Sequence, residues 1–272
     1  MDSRPETTDD SDPLSFAVSA RDRSVLDMVR AALAADRAAL AFQPVVAAAG
    51  GVAYHEGLIR LTDDTGRVIP AAQFMAVIEP QELGREVDCA ALRCGLRALG
   101  RHPGLRLAVN MSARSVGFPR WMEALRRGLA RDATAGERLI LEITEASAME
   151  MPDMVKAFMA ELQDKGITFA LDDFGAGRTS FRHLKEFYFD ILKIDGDLVR
   201  GCDHDPDNQV ILEAVATLGR QFDMYVVAEA IETAAEAGFA ASVGVDALQG
   251  YHYGAPELRP AWARAPGAAA TG

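Results

Sequence analysis

The sequence predicts an α/β protein whose strands close into a TIM-type barrel, entered through an antiparallel strand pair. Three observations predict it. From Pro70 onward, helix-period segments alternate with short apolar runs, the pattern of repeated β-α units. Those runs are apolar at successive positions, as in Leu139-Ile140-Leu141 and Val226-Val227-Ala228, so both strand faces are covered and the sheet is parallel. The number of units suits a closed barrel better than an open sheet, and no G-x-G-x-x-G follows the first strand to favour the doubly wound alternative.

Taken in order, residues 1–21 are rich in Asp, Ser, Thr and Pro and read as a flexible acidic tail. A single barrel domain spans 22–262, and 263–272 form an Ala-rich tail. A helical period appears at Val25, Leu26, Met28, Val29 and Leu33. A strand over 40–46 leads through Gly50-Gly51 into a second over 52–61, and so short a glycine connection makes this pair antiparallel. Helices follow at 71–78 and 87–99, then a strand at 105–110, a helix at 115–130 and a strand at 139–143. A helix at 154–165 precedes the strand 167–171, a short helix around 180–187 the strand 191–194, and a longer one at 207–222 the strand 225–228. Helix 234–241 and strand 247–249 complete the series.

The centre of the chain is Phe169 to Gly177, an apolar run that ends in Asp172 and Asp173 and then in glycines. Neighbouring residues on a regular strand face opposite ways, so both acids reach one site only if the chain leaves the strand there. Adjacent carboxylates repel, and a divalent metal is the simplest offset; the plain alternative is a solvated Asp-Asp turn. The arrangement recurs along the chain. Glu56, Asn110, Glu142, Lys193, Glu229 and Gln249 each lie at or near the C-terminal side of an expected strand, the rim where barrel enzymes place their chemistry. A donor set of oxygens without His or Cys is hard and selects Mg²⁺, Mn²⁺ or Ca²⁺, and so many acids can hold two ions. Lys193 would position water or stabilise charge on a breaking ester, or else pair with a barrel acid.

Composition narrows the function classes. A net charge of −12 argues against nonspecific nucleic-acid binding, which depends on basic patches. Three cysteines without C-x-x-C spacing speak against a disulfide framework or structural zinc, and five unclustered histidines supply no ligand set. The chain has no apolar run of transmembrane length and no signal-peptide core, which reads as no membrane association and a cytoplasmic protein.

These residues carry a resemblance. Phe42-Gln43-Pro44-Val45, Glu56-Gly57-Leu58-Ile59-Arg60, Asn110-Met111-Ser112, Glu142-Ile143-Thr144-Glu145, Asp172-Asp173-Phe174-Gly175, Lys193-Ile194-Asp195, Ala228-Glu229-Ala230-Ile231-Glu232 and Gln249-Gly250-Tyr251 resemble the EAL domain of cyclic di-GMP phosphodiesterases, in family order. The resemblance implies a modified TIM-type (β/α)8 barrel with its first strand antiparallel, and hydrolysis of cyclic di-GMP to linear pGpG with Mg²⁺ or Mn²⁺. By position, Glu56, Asn110, Glu142, Asp172 and Asp173 would bind metal. Glu229 and Lys193 would serve the water, Glu229 as general base, with Glu232 and Gln249 as water-positioning groups. Arg60 would clamp a phosphate, and Gln43, Leu58 and Tyr251 would line the substrate site, a place in the core being the alternative for Tyr251. Glu145 would brace the loop after Asp173. A homodimer formed near that loop is also implied. The chain departs from the family at Gly57 for the signature alanine, at Ala230 for a glycine, and at Ala176 and Arg178 in the paired-acid loop. The alternative reading is a non-catalytic receptor of cyclic di-GMP or of a protein partner.

Overall fold

The computed structural model describes residues 13–177 and 184–263. Its strands are β1 (Ala38–Ala47), β2 (Val52–Thr62), β3 (Val68–Ile69), β4 (Leu107–Asn110), β5 (Leu139–Thr144), β6 (Thr168–Phe174), β7 (Ile191–Ile194), β8 (Tyr225–Ala228) and β9 (Ala247–Gln249). Eight close into a barrel in the order β1-β9-β8-β7-β6-β5-β4-β2, with β1 pairing β2 to shut the ring; β3 lies outside against β2. β1 runs antiparallel to both of its neighbours, and the other ring pairings are parallel. The β1–β2 turn uses Gly50 and Gly51 at φ 98° and 84°, a region glycine enters without steric cost.

Helices α1 (Pro13–Ala34), α2 (Ala71–Ile78), α3 (Glu82–Arg101) and α4 (Pro119–Arg131) are followed by further helices that cover the later strands. The apolar faces of these helices and the outward sides of the strands form the main core, around Leu92, Leu107, Trp121, Leu141, Phe169 and Leu192. α1 begins inside the stretch expected to be a tail: Pro13 suits a first helical turn, and the acidic run before it obscures that start in the sequence. Val25, Val29 and Ala32 of α1 pack with Leu61, Ile69, Phe74, Ile78 and Val87 in a smaller core.

Within the ring, one residue per strand (Val45, Tyr54, Ala108, Ile140, Ala170, Ile191, Val227 and Ala247) forms a closed apolar layer. Two positions nearer the mouth on each strand lies a polar residue, since every second side chain shares a face. The strand expected to end at Leu171 runs on to Phe174. The first half of the short helix expected around residues 180–187, up to residue 183, lies outside the described residues, as does Arg178.

Candidate active site

The polar layer is Gln43, Glu56, Asn110, Glu142, Asp172, Lys193, Glu229 and Gln249, each two positions from its partner in the apolar layer. Lys193, 1% exposed, is its hub. Its Nζ lies 2.7 Å from Glu229 Oε1, 2.8 Å from Asp172 Oδ1, 3.1 Å from Glu142 Oε2 and 3.4 Å from Glu56 Oε2. Amides complete the network: Asn110 Nδ2 donates to Glu56 Oε1 (2.7 Å), and Gln249 Nε2 donates to Glu56 Oε2 (2.6 Å) and to Gln43 Oε1 (3.3 Å). Gln43 Nε2 donates in turn to the Gly254 carbonyl at 3.1 Å. β1 reaches this layer only because it runs antiparallel, which brings Gln43 opposite Glu56.

Asp172 and Asp173 both reach the site by a different device from the glycine turn expected of the sequence. The β6–β7 register shifts between Leu171 and Phe174, and Asp173 sits at φ 54°, so the strand bulges and continues. Aspartate tolerates this left-handed backbone better than most residues, and such strain persists where the surroundings hold it. The result places one oxygen each of Asp172, Asp173 and Glu229 within 4.8 Å of one another.

Four carboxylates share one ammonium, which has only three N–H bonds for them. The shortfall is visible: Glu142 Oε1 and Asp172 Oδ1 are buried without a directed hydrogen bond, the latter despite its closeness to Nζ. Burial pushes Glu142 well above the usual carboxylate range and Glu229 up to about 8, against the pull of Lys193. Burial, with Asp172 alongside, pushes Asp173 up to about 6. Burial also opposes charge on Glu56, but Lys193, Gln249 and Asn110 outweigh it and its pKa falls below the usual value. Burial alone would lower Lys193; Asp172, Glu142, Glu229 and Glu56 outweigh it and keep the amine charged. Surplus buried acids, orphaned oxygens and an all-oxygen donor set fit divalent hard cations.

Beside this layer a cavity of about 300 Å³ is lined by Leu58, Arg60 and Asn110, with Met111, Ser112 and Ser147. Arg60 donates one N–H to the Ile59 carbonyl at 2.9 Å. Asp88 of α3 also lines the cavity and was missed in the sequence. Its Oδ2 accepts from Ser112 N (2.9 Å) and Ser115 Oγ (2.6 Å), tying α3 to the loop after Asn110. The available signal was an acid on the otherwise apolar buried face of α3, next to Val87, Ala91 and Leu92. Other expected site residues lie apart. Glu232 is exposed, 4.0 Å from Arg200, and Tyr251 is 72% exposed, which removes the core alternative for it. Glu145 is buried at the start of helix Glu145–Glu150, sharing a small hollow with Phe174, Leu184 and Phe187.

A family model for the EAL domain matches residues 26–256. The chain belongs to the EAL domain family. It is 32% identical over 238 residues to the bifunctional diguanylate cyclase/cyclic di-GMP phosphodiesterase MucR of Pseudomonas aeruginosa, a match covering 85% of this chain and 35% of MucR. To the cyclic di-GMP phosphodiesterase PdeF of Escherichia coli it is 29% identical over 238 residues, 86% of this chain and 32% of PdeF. The chain thus spans about a third of the curated relatives it matches. Among solved structures, the PaMucR phosphodiesterase in complex with c-di-GMP superposes with a TM-score of 0.75 at 32% identity, covering 88% of this chain and 98% of that one. The EAL domain of Xanthomonas citri FimX, in complex with c-diGMP, shares the fold with a TM-score of 0.81 at 24% identity, over 91% and 99% of the two chains.

Two departures from the EAL pattern have a structural account. A Cβ on Gly57 would lie 2.9 Å from Leu40 Cδ1 and 3.2 Å from the Ala108 carbonyl oxygen. Neighbouring leucine methyls, Leu40 Cδ1 and Leu107 Cδ1, occupy the space a methyl at this position would take. Ala230 stands at φ 54°, where its Cβ is strained, and lies 2.6 Å from where a Cβ on Gly196 would be.

Proposed function

We propose that this EAL barrel hydrolyses one phosphodiester of cyclic di-GMP to linear pGpG, with Mg²⁺ or Mn²⁺ as cofactor. The observation that supports it most is the surplus of buried carboxylates over cations at the mouth, with Glu142 Oε1 and Asp172 Oδ1 left without directed hydrogen bonds. Asp172, Asp173 and Glu229 would hold metal, together with Glu56, Glu142 and the amide oxygen of Asn110. Bound there, divalent ions offset the acids and stabilise negative charge at phosphorus. Arg60 is a bidentate donor for a phosphate oxygen on the cavity wall. Glu229 accepts the proton of the attacking water, and Lys193, charged and fixed among four acids, orients that water and balances developing charge. Gln249 holds Glu56 in place. The reading extends to a homodimer near the paired-acid loop, checked by sedimentation, and to a cytoplasmic setting; no helix among the described residues is long and apolar enough to cross a membrane.

The test is incubation of purified protein with cyclic di-GMP and either metal, with pGpG as the readout. Binding without product under both metals would favour the receptor reading. Glu56→Ala removes one rim carboxylate and three accepted hydrogen bonds, and is expected to lower turnover at least about a hundredfold while the circular dichroism spectrum is retained. Retained turnover would count against the assignment.

A further inference from the structure

Glu229 is the first residue beyond β8, whose ladder with β7 ends where Ala228 pairs Ile194. One backbone bond, from Glu229 N to the Ile194 carbonyl at 3.2 Å, prolongs that pairing, and Ala230 then turns the chain at φ 54°. A non-glycine residue keeps such a backbone only where its surroundings hold it. The connection from Glu229 to Thr233 is held at two points. Ile231 N donates to the Gln249 carbonyl at 3.0 Å, and the amides of Glu232 and Thr233 both donate to Glu236 Oε2, at 2.9 and 3.0 Å.

Glu236, 6% exposed, is the third residue of helix Ala234–Ser242, and its bond to Thr233 N is half of an ordinary capping box. A capping box uses one oxygen. The other, Oε1, accepts from Gly201 N at 2.9 Å, on the connection between β7 and helix Pro206–Gln221. Burial opposes charge on Glu236, but the N–H groups of Gly201, Glu232 and Thr233 outweigh it and lower its pKa below the usual value. One ionised carboxylate thus joins the connection that carries Glu229 to the one that leaves Lys193. Those two side chains make the shortest contact of the hub, 2.7 Å.

We propose that Glu236 is a positioning residue of the hydrolytic site: by accepting N–H groups from both connections it fixes Glu229 against Lys193 and Asp172. The inference rests on the phosphodiesterase reading and adds to it a carboxylate that belongs to neither the polar layer nor the cavity wall.

Glu236→Gln tests this, because it exchanges one oxygen for an amide nitrogen at nearly constant volume and can no longer accept from both connections. With its oxygen kept toward Glu232 and Thr233, the new NH2 faces Gly201 N–H, and hydrogen exchange at Gly201 is expected to rise at least about tenfold. Affinity for Mn²⁺ without substrate, read from the paramagnetic resonance signal of the free ion, should weaken about tenfold. With cyclic di-GMP, kcat should fall about tenfold and KM stay within about twofold, since Arg60 and the cavity wall lie away from both connections. Asp205→Ala is the control: it removes the cap of helix Pro206–Gln221 on the same connection, and should lower the melting temperature while kcat and Mn²⁺ affinity stay at parental values. Glu236→Asp, one methylene shorter, takes the place of the Gln variant if that variant does not fold. Parental kcat and Mn²⁺ affinity in the folded variant, or equal losses in Asp205→Ala, would overturn the positioning role alone. A parent that yields no pGpG and binds no Mn²⁺ would overturn the phosphodiesterase reading and this role together.

Discussion

The two layers inside the barrel are built by the same strands, two residues apart, yet are held by opposite physics. The inner one, from Val45 to Ala247, is held by burial of apolar surface. The outer one gathers acids around Lys193, with the charge of Glu142 and Glu229 opposed by desolvation. The contrast teaches where this fold is vulnerable: the apolar layer coheres without any directed bond, while the polar layer holds together through one cation and three amides.

The sharpest way to break the contrast is Lys193→Met. Removing the hub leaves the buried Glu56, Glu142 and Asp172 and the half-buried Glu229 without their counter-charge, and a loss of about 3–5 kcal/mol is expected in thermal or urea unfolding at neutral pH. Millimolar Mn²⁺ should recover part of it; unchanged stability without metal would mean that the layer does not depend on the amine.

Asp88 offers a buried acid with hydrogen bonds but no cation, and so a second comparison. Burial, with Glu79 adding to it, pushes Asp88 from 3.8 up to about 7, although Ser115 and Ser112 donate to it. Because the folded pKa is raised, the folded state binds more protons between those values, so stability falls as pH rises from about 4 to about 7 and levels off above. Asp88→Asn keeps an acceptor and removes the titration. Melting temperature against pH should show the variant gaining on the parent across that window, by on the order of a few kcal/mol; parallel curves would refute the assignment.

The outer face of β2 gives a smaller effect. Gly57→Ala would press a methyl against Leu40 Cδ1 and the Ala108 carbonyl, costing about 1–3 kcal/mol by denaturant titration unless Leu40 rotates away. The smallest concerns Tyr54, whose buried hydroxyl in the apolar layer has no partner. Tyr54→Phe removes no hydrogen bond, so stability should be unchanged or higher by up to about 1 kcal/mol; a marked loss would show that the hydroxyl is engaged.

Much of this was legible in the sequence because strand period and barrel closure are local patterns with one consistent solution. Glu56, Asn110, Glu142, Asp172, Lys193, Glu229 and Gln249 were foreseen at one rim, and the structure brings them together. The antiparallel β1 followed from Gly50-Gly51. What stayed hidden depends on contacts far apart in the chain. The bulge at Asp173 needs β7 to hold it, the glycine at 57 is explained by Leu40 and Leu107, and Asp88 acquires its role only when α3 meets the loop carrying Ser112. Residue type alone left Tyr251 between the substrate site and the core, and the start of α1 was obscured by its acidic neighbours.

The alternation that separates the two layers also limits how the chain can vary in length. Inserting or deleting one residue within a ring strand would rotate everything beyond it by half a turn, sending acids outward among the helices and leucines into the mouth. Indels are thus confined to the connections between strands and helices and to bulges such as the one at Asp173, and a relative with an unbulged one-residue gap inside β5 would have lost its site while keeping its fold.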